Sequence, residues 1–193
     1  MAETSLTLLD RLQRQPDPAS WQRLVDIYAP LIGRWLSRSP LQNADHEDLT
    51  QEVLRIVVQK LPEFQRRREG SFRAWLRVVT VNCLREFWRS SKHRPVATGD
   101  SDFLQKLQEL EDPQSELAKV WDSEHDRHVV RRLLELIGPQ FAPATLHAFQ
   151  RVVLEGHKPA QVAAELGISV NAVFLAKSKI LRQLRQEIAG LLS

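Results

Sequence analysis

The stretch KPAQVAAELGISVNAVFLAKSKILRQLR, residues 158–185, holds two alanine-rich apolar segments on either side of Gly167-Ile168-Ser169. Taking Gly167 as the turn between two helices puts Val162, Leu166, Ile168, Val173 and Ala176 where a helix-turn-helix needs apolar contacts. Ala163 falls where only a small side chain lets the second helix cross close over the first. A glycine tolerates positive φ at the turn, and Ser169 is a good N-cap for the helix that follows. Winding that helix at 100° per residue gathers Val173, Ala176, Ile180 and Leu184 on one side. Asn171, Leu175, Ser178, Lys179, Arg182 and Arg185 face the other way, with no acid among them. A helix presenting that face to a major groove would offer Asn171, Phe174, Leu175 and Ser178 to the base edges, with Ser169 at its DNA-facing N-terminus. Lys179, Arg182 and Arg185 would serve phosphates, and Phe174 or Leu175 suits a thymine methyl. The competing reading is an αα-hairpin with a solvated basic face.

Working outward, the 193 residues suffice for one domain or two small ones. Seven glycines, a 42% hydrophobic content and many good helix formers favour an all-α chain. No stretch alternates cleanly at period two. Cationic side chains outnumber acidic ones 14 to 11 in residues 1–91 and 8 to 4 in 128–193, whereas acids lead 9 to 5 in 92–127. Two basic ends therefore flank an acidic middle, read as a linker that is polar and proline-rich at first, then weakly helical. Pro113 is placed to open the next helix, and Gly138-Pro139 to end it. The expected architecture is two small helical domains, 1–94 and 128–193, joined by linker 95–127.

The lone cysteine, Cys83, excludes an internal disulfide and any multi-cysteine metal site. Its apolar-periodic setting suits a small buried hydrophobe. His125 and His128 sit among charges without further ligands and are expected to be solvated, so neither metal nor cofactor is implied. Early acids and the absence of a long apolar run argue against a signal peptide. No stretch is long enough to span a membrane, and a cytoplasmic location is the expectation. There is no glycine-rich phosphate loop, paired-carboxylate cleft or nucleophile triad, so no enzyme is expected.

Within the N-terminal part, ADHEDLTQEVLRIVVQKL predicts a helix over 45–61, stopped by Pro62. Asp48, Gln51, Glu52, Arg55 and Gln59 share a polar stripe. The rest of the surface is apolar enough to predict a largely buried helix. The bland reading of the stripe is a solvated face with an Asp48/Glu52–Arg55 ion pair; the sharper one is a docking strip.

FQRRREGSFRAWLRVVTVNCLREFWRSSKHRP, residues 64–95, interleaves aromatics with arginines. Its helix, 72 to about 90, buries Phe72, Leu76, Val79, Cys83 and Phe87, leaving Arg73, Arg77, Leu84, Arg85 and Trp88 opposite. Guanidiniums that track phosphate and rings that stack on bases suit unstacked nucleic acid. A loop beside such a helix suits a flipped base. Trp75, next to the core face, is read as packing. Trp88 remains open between core and base contact.

Taken together, these segments resemble a bacterial RNA polymerase sigma factor of the sigma-70 family. The similarity is greatest to the short extracytoplasmic-function group, which has only regions 2 and 4, and it covers nearly the whole chain. Asp48-Leu49-Thr50-Gln51-Glu52-Val53 resembles that family's D-L-x-Q-E-x-F element, although Val53-Leu54 lacks the usual Phe. The resemblance implies that Asp48, Gln51, Glu52 and Arg55 bind the clamp of the largest core polymerase subunit. Phe72, Trp75-Leu76, Val79, Asn82, Glu86 and Arg89 resemble the F-x-x-W-L-x-x-I-A-x-N-x-x-x-D-x-x-R pattern. It implies that Phe64, Arg66, Arg67, Arg68, Arg73, Arg77, Asn82, Arg85 and Trp88 meet the −10 element. The basic loop 64–70 is longer than usual in the family.

Residues 158–185 correspond to region 4, which reads the −35 element, with Phe174-Leu175-Ala176 where many members carry Arg-Ser-Arg. The implied partners are core RNA polymerase (clamp and flap), promoter DNA and an anti-sigma protein. The implied function is promoter-specific initiation, with −35/−10 recognition and melting by a non-enzymatic subunit. The alternatives are a stand-alone helix-turn-helix regulator, which leaves 45–91 without a role, and a module that only binds a protein inhibitor.

Overall fold

A computed structural model of the chain describes residues 7–39, 41–65, 71–90, 100–188 and 191. The described residues are helical, with no strand among them. The chain divides into one unit of residues 1–129 and another of 130–189.

In the first unit, α1 (Leu8–Arg14) opens on a reciprocal cap: Thr7 Oγ1 accepts from Asp10 N–H at 3.2 Å, and Thr7 N–H donates to the Asp10 carboxylate at 3.3 Å. α2 (Pro18–Leu36) starts on Asp17, whose carboxylate takes the Ser20 N–H at 2.9 Å and the Ser20 hydroxyl at 2.6 Å. Those bonds hold the Asp17 carboxyl below its ordinary pKa. Leu24, Ile27, Leu31 and Trp35 share one buried face of α2, as their spacing predicts. α3 (Asn43–Lys60) and α4 (Ser71–Ser90) complete the part anticipated from sequence. Tyr28 and Phe72 meet edge-on at the centre, ring centroids 5.4 Å apart.

α3 is less buried than the periodicity suggested. Leu49, Val53 and Val57 are its buried residues, while Val58 is exposed. The helix covers the bundle with one narrow face, so its polar stripe is part of a broader open surface.

The segment expected to be a linker folds differently. α5 (Asp100–Glu111) buries Phe103, Leu107 and Leu110, and α6 (Glu116–Ile137) buries Ala118, Trp121 and Val129. Pro113 lies in the intervening turn and does not open α6. Ser115 caps that helix instead, its hydroxyl accepting from Ala118 N–H at 3.0 Å. His125 and His128 are also buried, contrary to the solvated expectation. His128 Nε2 lies 2.7 Å from the Ile27 carbonyl oxygen, and His125 lies 3.4 Å from the Tyr28 hydroxyl and 3.0 Å from Asp126. Trp121, His125 and His128 follow one another at spacings of four and three, which puts both histidines on the packed face of α6, where hydrogen bonds satisfy the rings.

In the second unit α6 ends at Ile137, before Gly138-Pro139. α7 (Pro143–Phe149) runs into a π-helical turn, Gln150–Leu154, that stops before Gly156. α8 (Pro159–Leu166) and α9 (Val170–Ile188) follow, bent by 106° at the turn between them. Among the described residues no single helix is long and apolar enough to cross a membrane.

Candidate polymerase and nucleic-acid interfaces

Three surfaces carry the candidate residues. On α3, Asp48, Gln51, Arg55 and Gln59 are exposed and Glu52 is half-buried. Arg55 grips Glu52 through two bonds, Nε to Oε2 at 2.7 Å and Nη2 to Oε1 at 2.6 Å, and reaches Gln59 at 3.3 Å. Those bonds hold the Glu52 carboxyl below its ordinary pKa. The pair fixes two side chains of the strip in one geometry, with Asp48 and Gln51 open beside it. Next to the strip a groove of about 410 Å³ lies between α3 and α4, lined by Asp48, Glu52, Ile56, Cys83, Glu86 and Phe87. Burial, then the Glu52 and Glu86 charges, push the Cys83 thiol up to about 11.

The second surface is α4. Phe72, Leu76, Val79 and Cys83 are buried as predicted, but Phe87 is only half-buried, and Leu84, expected on the opposite face, is buried as well. Phe64 packs on Phe72 and Trp75, with centroids 5.6 and 5.1 Å apart, and Gln13 donates to the Phe64 carbonyl at 2.7 Å. Phe64 and Trp75 thus belong to one aromatic cluster. Arg66, Arg67 and Arg68 lie outside the described residues.

The opposite face of α4, expected to meet DNA, is covered. Arg73 pairs with Asp126 at 2.8 Å and lies 3.4 Å from Asp122. Arg77, only 2% exposed, pairs with Asp122 at 2.7 Å. Arg85 meets Glu111 with both ends of its fork, one bond at 2.7 Å. Trp88 packs on Phe103, centroids 5.0 Å apart. Four of the predicted −10 residues are therefore engaged by α5 and α6, while Asn82 is exposed. Each carboxylate lies 26 to 53 residues from its arginine, a separation at which helical periodicity carries no signal.

The third surface is the α8–α9 pair. Gly167 adopts φ 64° and ψ 31°, and the Ser169 hydroxyl accepts from Ala172 N–H at 3.1 Å. Val162, Ala163, Val173 and Ala176 form a buried cluster with Ala148, flanked by Val152, Leu166 and Ile168. Ser169, Asn171, Phe174, Leu175, Ser178, Lys179, Arg182 and Arg185 are all exposed. Phe174 and Leu175 keep 51% and 62% of their surface in solvent, although apolar side chains gain by burial. Lys179 also lies 5.6 Å above the Phe141 ring, which holds it at one edge of the face.

The helical order α2–α4 coincides with a match to a family model, Sigma-70 region 2, over residues 24–94. That segment is similar to a sigma-70 region 2. The α3 strip and the α4 arginines through Arg89 all fall inside the matched residues, whereas α5 and α6 lie beyond them. Over 145 residues the chain is 30% identical to the probable RNA polymerase sigma factor RfaY of Xanthomonas campestris pv. campestris. That stretch covers 75% of this chain and 34% of the relative, so the chain spans about a third of the protein it matches.

Of the residues that sequence reasoning missed, Glu111, Asp122 and Asp126 bear most directly on the α4 arginines. Their signal was available only as apolar residues three and four apart (Phe103, Leu107, Leu110; Ala118, Trp121) between the acids, which mark α5 and α6 as packed helices.

Proposed function

We propose that the chain is a sigma factor of the extracytoplasmic-function type. Its α3 strip binds core RNA polymerase, region 2 engages and melts the −10 element, and the α8–α9 pair reads the −35 duplex. The observation that carries this reading is the joint occurrence of a match to the Sigma-70 region 2 model and an open cationic face on the α8–α9 pair in one chain. Asp48, Gln51, Glu52 and Arg55 would meet the clamp of the largest subunit, and the second unit the flap.

On the −35 element, α9 would present Asn171, Phe174, Leu175 and Ser178 to base edges. Lys179, Arg182 and Arg185 would lie along the phosphates. Phosphate contacts fix the register and base contacts supply the selectivity. Melting follows from capture of unstacked bases at region 2, and the polymerase performs all the chemistry. An anti-sigma protein is a further proposed partner, and the proposed location is the cytoplasm.

The test is transcription in vitro with purified core polymerase on a library of promoter fragments. Promoter-dependent initiation that disappears with Asp48→Ala combined with Glu52→Ala is the expected result. Sequence-specific duplex binding by the chain alone, without initiation when core is added, would identify a stand-alone regulator instead.

A further inference from the structure

We infer that the acidic α5–α6 segment is an internal competitor for DNA, which closes the arginine face of region 2 in the free protein. The inference rests on the reading of α4 as a DNA-facing helix. Glu111 presents both carboxylate oxygens to the fork of Arg85, and Asp126 takes Arg73 Nη1 at 2.8 Å. A carboxylate takes the same guanidinium fork that a phosphate would use bidentately and neutralises its charge, so the two compete for one arginine. Trp88, the aromatic candidate for base contact, is covered by Phe103 of the same segment. The acidic middle of the chain thus lies on the cationic, aromatic face that the proposed function assigns to the promoter.

Burial grades the three pairs. The Arg73 and Arg85 side chains retain 23% and 27% of their exposure, and their partners Asp126 and Glu111 retain 38% and 34%. Arg77 retains 3% and also lies 3.4 Å from the Ala118 carbonyl. Water and a competing phosphate can reach the first two pairs without removing α6 from the core. Arg77 stays fixed as the pin that orients α6. The gated residues are therefore Arg73 and Arg85, released when their carboxylates exchange for phosphate. A protein that is mostly closed binds with an affinity reduced by its open fraction. Off polymerase, that lowers non-specific DNA binding.

The experiment measures binding of the full chain to a fluorescent 30-base-pair duplex of random sequence and to a dT20 strand, by anisotropy, across a salt series. Glu111→Gln with Asp126→Asn is compared with Asp112→Asn with Glu116→Gln, which removes the same charge from positions that touch no α4 arginine. The gated pair is expected to tighten duplex binding about tenfold if closure is favoured about ten to one. Its salt slope should steepen by about 1 as Arg85 gains a phosphate, and by up to about 2 if Arg73 also leaves Asp122, 3.4 Å away, for one. The control pair should change affinity by less than about twofold.

Arg85→Gln should then cost little in the original chain but cancel much of the gain in the Glu111→Gln background. Equal gains in the two pairs, or no gain from the gated pair with helix content intact by circular dichroism, would overturn the gate. So would an Arg85→Gln loss that is the same in both backgrounds. Initiation with core polymerase is scored separately. If it fails while the gain is present, the sigma reading falls and the gate stands; if it succeeds without the gain, the gate falls alone.

Discussion

Arg77 and Arg182 are both helical arginines with apolar neighbours in sequence, yet one is 2% exposed and the other lies in solvent. Arg77→Ala strips Asp122 of its closest cation and is expected to destabilise the first unit by about 3 kcal/mol in urea denaturation. Arg182→Ala should leave stability unchanged, weaken duplex binding alike across sequences, and reduce the salt slope by about 1. Cys83 supplies a pH dependence. Its folded pKa, pushed up to about 11 from 9.0, means that the fold favours the protonated thiol. The resulting stability is complete below pH 9 and is lost as pH rises through 11. Comparison with Cys83→Val at pH 8 and pH 10.5 should show the original chain losing more stability on alkalinisation. The buried setting of Cys83 was legible in sequence, because Phe72, Leu76 and Val79 share its helical face.

At the scale of elements, the α8–α9 turn and the α5–α6 pair differ in how local their determinants are. Gly167 has φ 64° and a Cβ placed there would meet nothing within 4 Å, so its requirement is purely backbone. Gly167→Ala should therefore cost about 1 kcal/mol, measured by thermal unfolding, and Gly167→Asn less. That turn, its cap and its apolar contacts lie within two dozen residues, which is why sequence pattern alone located them. α5 was read as weak because its acids and the polar run before it outweighed Phe103, Leu107 and Leu110. In the structure those three are buried within the first unit, and Phe103→Ala is expected to cost about 3 kcal/mol. Hydrogen exchange should then quicken selectively in α5. The narrow burial of α3 was missed for the related reason that an apolar residue reports a capacity for burial, not a partner.

Across the whole molecule, net charge of +3 conceals basic ends and an acidic middle. With about three phosphate contacts from Lys179, Arg182 and Arg185, the slope of log affinity against log salt should be near −2.7, a loss of roughly 40-fold from 50 to 200 mM. A flat salt profile of duplex binding would remove α9 as the phosphate-tracking element. The sequence by itself determined the helical class, the turn at Gly167, the inward faces of α2 and α4 and the polar strip of α3. Each follows from residues one to a few helical turns apart, where periodicity and capping act. Only the tertiary structure decided which cations remain open. Arg77 meets Asp122 45 residues away, and Arg73 meets Asp126 53 away. A basic face is defined by its own residues; its accessibility is defined by what the rest of the chain packs against it.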